Sequence, residues 1–207
     1  MERIDTSLDK NFKVRQIIEA AQKRFGVFGV EKTSMQEIAN DLNLSKASLY
    51  YYFPDKESLY KAVVEKEQNE FLVSISEKIL DIVEPDRLLR EYSVTRLSYF
   101  KTLLNLSRLR LEAYSGLKPV FRETMVLFKE KEKEIIKRIF VKGNSMGMFY
   151  IKDPDQTASL FLDLLKGLRI SVVNDKKTMF IEDEEYDRLH LNTVAFTEIF
   201  INGLKVK

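Results

Sequence analysis

The stretch TSMQEIANDLNLSKASLYYYFPDKESLY, residues 33–60, decides how the rest of the chain is read. Ser34 followed three positions later by Glu37 has the form of a capping box, in which the hydroxyl accepts from a backbone amide and the carboxylate reaches back. Met35, Ile38, Ala39 and Leu42 then lie on one apolar stripe, so a short helix ending near Asp41 is predicted. Leu42 to Ser45 carry the chain round, and Asn43 tolerates the left-handed conformation that such a turn needs. Ser45 caps a third helix from about Lys46 to Tyr52. It closes at Phe53-Pro54, because the residue before a proline is pushed out of the helical region.

Upstream, Val14, Ile17, Ile18, Ala21 and Phe25 repeat at helical spacing, and Gly26 and Gly29 are expected to stop that first helix. Downstream, Asp55 starts a fourth, whose drifting stripe of Leu59, Ala62, Val63, Phe71, Ile75, Ile79 and Ile82 runs to about Val83. Glu84-Pro85-Asp86 breaks it. Helical patterns resume over about 86–104, 106–115, 119–141, 155–173 and 184–202, with 116–119, 142–154 and 174–183 as joints. The fold class is therefore all-α, with about nine helices: a three-helix helix-turn-helix domain over 1–54, then a larger helical bundle over 55–207. The helix from about 55 to 83 links the two.

Composition narrows the function classes. The chain has 207 residues, a formal net charge of +2, 44% hydrophobic and 32% charged residues, which fits a globular protein with a real core. The absence of cysteine removes disulfides, thiolate nucleophiles and cysteine-based zinc sites, and a lone His190 cannot build a histidine metal site. No metal and no cofactor is expected. There is no apolar run of about 18 residues, and the start, MERIDTSLDK, lacks a signal-peptide core, so a cytoplasmic protein with no membrane partner is expected. No enzyme is expected either: no nucleophile with base and orienter, no paired carboxylates and no Gly-rich phosphate loop is recognisable. His190 reads as a surface or cap-proximal residue, and the acidic run Glu182 to Glu185 as helix-start charge.

Two short helices joined by a tight turn, with a third packed before them, form the arrangement that offers its second helix to a major groove. With Leu49 and Phe53 on the buried side, helical geometry places Ala47, Ser48 and Tyr51 outward and Tyr50 and Tyr52 on the flanks. Small residues allow close approach of a duplex, while phenolic hydroxyls and Lys46 can donate to phosphates or base edges. Lys46 and Lys56 each sit just inside a helix start, where a cation is disfavoured by about 0.3–1 kcal/mol unless an anion is present. A phosphate reverses that sign. Bulk charge adds little, since residues 1–64 carry ten basic and nine acidic side chains.

Residues 33–60 closely resemble the N-terminal signature of the tetracycline-repressor-like (TetR/AcrR) regulators, and the resemblance extends from about Phe12 to Val64. It implies a homodimer that binds a palindromic double-stranded DNA operator, most often as a ligand-responsive repressor. By position it implies base contacts for Gln36, Lys46, Ala47 and Tyr50, and phosphate contacts for Ser34, Ser48, Tyr52 and Lys56. Two departures stand out: Asn43 in the turn and Ala47 in the reading helix occupy places where many members carry glycine.

The later helices hold many large apolar residues. Most are core, and Phe71, Tyr99, Phe100, Tyr114, Phe121, Met125 and Phe161 are the candidates for lining a pocket, the bundle being a default site for one. The resemblance implies an apolar or amphipathic effector between helices four and eight. Arg96, Arg108 and Arg110 could pair with a carboxylate there, but solvated arginines are the plainer reading. The segment 155–173 is apolar on more than one face. With the last helix it offers Ala158, Leu165, Gly167, Val172, Phe196 and Phe200 as candidate dimer contacts, or else completes the monomer's own core. The rival to DNA binding is a helical interaction module whose tyrosine face meets a protein, since exposed tyrosines also favour interfaces.

Overall fold

The computed structural model describes residues 6–80, 83–102, 114–173 and 181–206, with side chains at 10–78, 83–101, 122–172 and 181–206. Among these residues there are eight helices and a single isolated antiparallel bridge, Phe149 with Lys205. The head contains α1 (Thr6–Phe28), α2 (Met35–Asp41) and α3 (Lys46–Tyr52). Then follow α4 (Lys56–Leu80), α5 (Pro85–Thr102), α6 (Tyr114–Ser145), α7 (Pro154–Val173) and α8 (Asp183–Leu204). The expected helix over 106–115 falls mostly outside the described residues.

The local signals in the head act as their chemistry requires. The capping box is present, with the Ser34 amide donating to Glu37 Oε2 at 2.8 Å and the Glu37 amide donating to Ser34 Oγ at 3.3 Å. Ser45 caps α3 by accepting from the Ser48 amide at 3.0 Å. Asn43 takes φ 52°, as the turn demands. Asp55 caps α4 through its Oδ1, 2.7 Å from the Ser58 amide. Gly26 does not stop α1, however. A glycine inside a helix weakens it by about 1 kcal/mol without breaking it, and the terminator is Gly29 at φ 84°, whose amide donates to Phe25 O at 2.9 Å.

The expected joint at 116–119 is likewise helical, because α6 begins at Tyr114. Pro119 stands within this helix, where it removes one backbone donor without ending the helix. At its other end α6 continues to Ser145, so that joint is shorter than expected. Gly143 permits this ending: a Cβ there would stand 2.1 Å from the buried Phe149 ring. Asn144 then braces the return, donating to Ile151 O at 2.8 Å and accepting from Ile151 N at 3.0 Å.

A continuous apolar core runs from head to bundle, with α4 as its spine. Leu59, Tyr60, Val63 and Val64 belong to the part shared with Ile17, Ala21, Phe25, Ile38 and Leu49. Further along, Phe71 meets Tyr92, Tyr99 and Phe128 with ring centroids 6.4, 4.8 and 5.6 Å away. A second aromatic stack joins Phe140, Phe161, Phe196 and Phe200.

Charge also enters this interior. Arg96 is buried rather than solvated, because it follows Leu89, Tyr92 and Ser93 on the inner face of α5. Its Nε donates to Glu132 Oε1 at 2.6 Å and its Nη2 to Oε2 at 3.2 Å. Tyr92 donates its hydroxyl hydrogen to the same Oε1. Burial pulls the guanidinium's affinity for its proton down, but Glu132 and Tyr92 outweigh that and hold it above the ordinary arginine value. Arg108 and Arg110 lie outside the described residues.

Candidate nucleic-acid interface

The site is built on a rigid base. Leu49 is fully buried and Phe53 nearly so, which fixes the rotation of α3 and turns its opposite side to solvent. Ala47 is exposed, Tyr51 is 72% and Tyr50 40% exposed, and Ser48 and Tyr52 are half-buried. Tyr50 and Tyr51 therefore form an outer edge, while Tyr52, edge-to-face with Tyr51 at 5.1 Å, packs partly against the core. Among the described residues the Lys46 ammonium lies against the Tyr50 ring, 5.8 Å from its centroid, rather than against a carboxylate. That contact holds a cation beside a phenol at the start of the helix, and both groups remain open to a partner.

Gln36 and Ser34 lie on α2 and its cap, both exposed. Gln36 donates to Asn40 Oδ1 at 2.8 Å, one helical turn on, which presets the amide without burying it. The Ser34 hydroxyl donates to Glu37 Oε2 at 2.8 Å, and that of Ser48 shares a hydrogen with Ser45 at 2.8 Å, so each serves its cap first. The clearest departure from expectation is Lys56. Its ammonium donates to Val30 O at 2.9 Å and Thr33 O at 3.1 Å, bracing the α1–α2 loop against the start of α4. Carbonyl oxygens therefore answer the unfavourable helix-start cation within the chain, and only the remaining N–H of Lys56 can turn to a phosphate.

One contributor is invisible in the motif. Lys10, on α1, stands over the Tyr51 ring at 5.4 Å and adds a cation to the same edge. Only the packing of α1 across the head brings them together, so no local spacing announces it. The head is fastened by Arg24, which pairs with Asp41 at 3.0 Å through Nη2 and with Glu37 at 3.3 Å through Nη1. The hydrogen bond from Arg24 holds the Asp41 carboxyl below the usual range, and the Ser34 amide and hydroxyl do the same for Glu37.

The remaining candidate residues are placed less uniformly. Of the proposed pocket, Phe71 and Phe161 are wholly enclosed in the two aromatic stacks, and Phe100 is buried beneath two arginines. Tyr99 and Met125 are half-buried, while the side chains of Tyr114 and Phe121 lie outside the described residues. Of the proposed dimer contacts, Ala158 and Leu165 are buried in this chain's own core. Val172 packs beside Leu97 and Leu189, and Phe196 and Phe200 pack on Phe161, while Gly167 is exposed. The apolar residues that α7 and α8 leave outside are Leu160, Leu164, Ile170, Leu191, Val194 and Ile199. The apolar pattern of α7 is thus divided: one row completes the monomer and its neighbour, displaced by one or two positions, stays free.

Comparison with known proteins agrees with this geometry. The sequence pattern of bacterial regulatory proteins, tetR family, matches residues 17–63. The HTH-type transcriptional regulator RutR of Escherichia coli K12 is 44% identical over 52 residues, which are 25% of this chain and 24% of RutR. The match thus spans about a quarter of that curated relative's length. A crystal structure of a transcriptional regulator from Cytophaga hutchinsonii covers 94% of this chain and 99% of its own, with 37% identity and a TM-score of 0.83. A TetR-family regulator from Pectobacterium atrosepticum, 20% identical, shares the fold over 100% of this chain and 99% of its own with a TM-score of 0.75.

Proposed function

The chain belongs to the tetR family of bacterial regulatory proteins, and on that premise we propose that it regulates transcription as a homodimer gripping a pseudo-palindromic operator, with an effector controlling release. The observation that carries the reading is the outward edge of α3, where Lys46, Ala47, Tyr50 and Tyr51 face solvent on a helix locked by Leu49 and Phe53. Ala47 lets the helix sit close to base edges, Lys46 and Tyr50 donate to them, and Gln36 reads from the flank. Ser34, Ser48, Tyr52 and the spare N–H of Lys56 meet phosphates, joined by Lys10. The protein is a binding protein rather than an enzyme, at work in the cytoplasm.

Dimerisation uses the free row on α7 and α8, Leu160, Leu164, Leu191, Val194 and Ile199, together with Gly167. A two-fold axis there sets the two α3 helices at one spacing, so half-sites should lie about 34–36 Å apart or a multiple of it. An effector that binds better to a differently spaced pair shifts the population away from DNA, with α4 as the lever. Selection of bound duplexes from a random pool tests the reading: a two-fold symmetric sequence is expected, and no enrichment would leave the protein-interaction module standing instead. The same duplex should lose affinity steeply with salt, by about 0.9 log units per phosphate contact per decade.

A further inference from the structure

Arg169 on α7, half-buried as a whole, faces the seam where α5 and α8 meet, and its Nε–H is enclosed there with no acceptor among the described residues. Its guanidinium lies on the Phe100 ring, 4.3 Å from the centroid, and Arg96 approaches the same ring at 4.8 Å. The carboxylate of Glu132 is already engaged by Arg96 through both oxygens and by Tyr92. Two cations thus share one ring and one committed anion, and the half-buried Arg169 keeps donors for a further anion. Burial, with Arg96 adding to it, pulls Arg169 down to about 10. Beside it is a cavity of about 10 Å³ with Leu97, Leu165, Ser93 and Thr193 in its wall, room for about one water-sized group.

We propose that the Arg96–Phe100–Arg169 cluster between α5, α7 and α8 binds the carboxylate of a small apolar acid. The inference deepens the ligand-responsive reading above by giving the effector a chemical class. A guanidinium fork suits a carboxylate, and leucine walls suit a hydrocarbon tail better than a hydrated inorganic ion. The cavity as it stands has room for about one water, so even the carboxylate head enters only as the wall yields. Entry of the tail must part α7 from α5 and α8, which moves the helices that carry the free apolar row.

Thermal unfolding of the full chain without DNA tests this, with sodium hexanoate as probe, hexanamide as its uncharged counterpart and sodium chloride at equal ionic strength. Hexanoate should raise the Tm by about 5 °C once it exceeds its dissociation constant about 100-fold. Hexanamide and chloride should not. Arg169→Met should abolish the rise and, in buffer free of carboxylates, should unfold at the same temperature as the parent or higher. Equal rises with hexanoate and hexanamide, an equal rise with chloride, or a rise that survives in Arg169→Met would each overturn the proposal. DNA affinity measured separately keeps the two ideas apart. Hexanoate bound through Arg169 without any effect on operator affinity would sink ligand response and support the site.

Discussion

Head and bundle hold their charges in opposite ways. In the head, Arg24 reaches Asp41 and Glu37 at a solvent-exposed seam between α1 and α2. In the bundle, Arg96, Tyr92 and Glu132 make a comparable set of bonds with every partner buried. Water screens the first network and weakens each contact, whereas the second has only its own members to satisfy it. The head can therefore keep an open, cation-bearing surface at little cost, while the bundle must answer every interior charge or find a ligand that does.

The sharpest way to break that contrast is Glu132→Ala. It strands Arg96 and the Tyr92 hydroxyl in the interior, and chemical denaturation should show a loss of about 3–5 kcal/mol. A loss under 1 kcal/mol would mean that the pair is hydrated after all. Next come Lys46→Ala and Tyr50→Ala, which leave the fold alone and should each cost about 1–3 kcal/mol of base preference in competition binding. Gly143→Ala sharpens the bundle's side, since the added methyl drives into the Phe149 ring and should lower stability by about 1–3 kcal/mol.

Lys56→Ala should cost about 1–2 kcal/mol of stability, because two carbonyls of the α1–α2 loop lose their charged donor. An unchanged Tm together with a salt slope shallower by about one would return Lys56 to a purely phosphate-binding role. Asp41→Asn should have the smallest effect. The folded carboxyl is held below its ordinary value, so its contribution is present at neutral pH and disappears as pH falls through the folded value. The stability gap between parent and variant should therefore begin to close below about pH 4 and vanish once pH lies below the folded carboxyl's own lower value; a gap that persists below that value would point to packing rather than to the ion pair.

What could be read from the sequence follows the range of the interactions. Ser34 with Glu37, Asn43, Ser45 and Phe53-Pro54 act on neighbours within a few residues, and each is found at work where the pattern put it. The outward edge of α3 followed from Leu49 and Phe53 alone. Gly26, Gly116 and Pro119 were poor guides because a breaker's effect depends on its position in the turn. Lys56 was legible as a cation at a helix start, but its partners lie 26 and 23 residues away, beyond any local pattern. The same is true of Arg96 with Glu132, 36 residues apart, and of Lys10 beside Tyr51. On α7 the stripe was evident, but its division between inner and outer rows was not, since a nearly all-round apolar helix gives both rows the same signal.

On the proposed function, the outer edge of α3 reads sequence. Parallel selection from one random duplex pool, with the parent protein and with Tyr50→Ala, tests it most directly. One symmetric site is expected for the parent, and a relaxed preference at the same position of both half-sites for the variant. Superimposable profiles, with the variant binding as selectively as the parent, would contradict it.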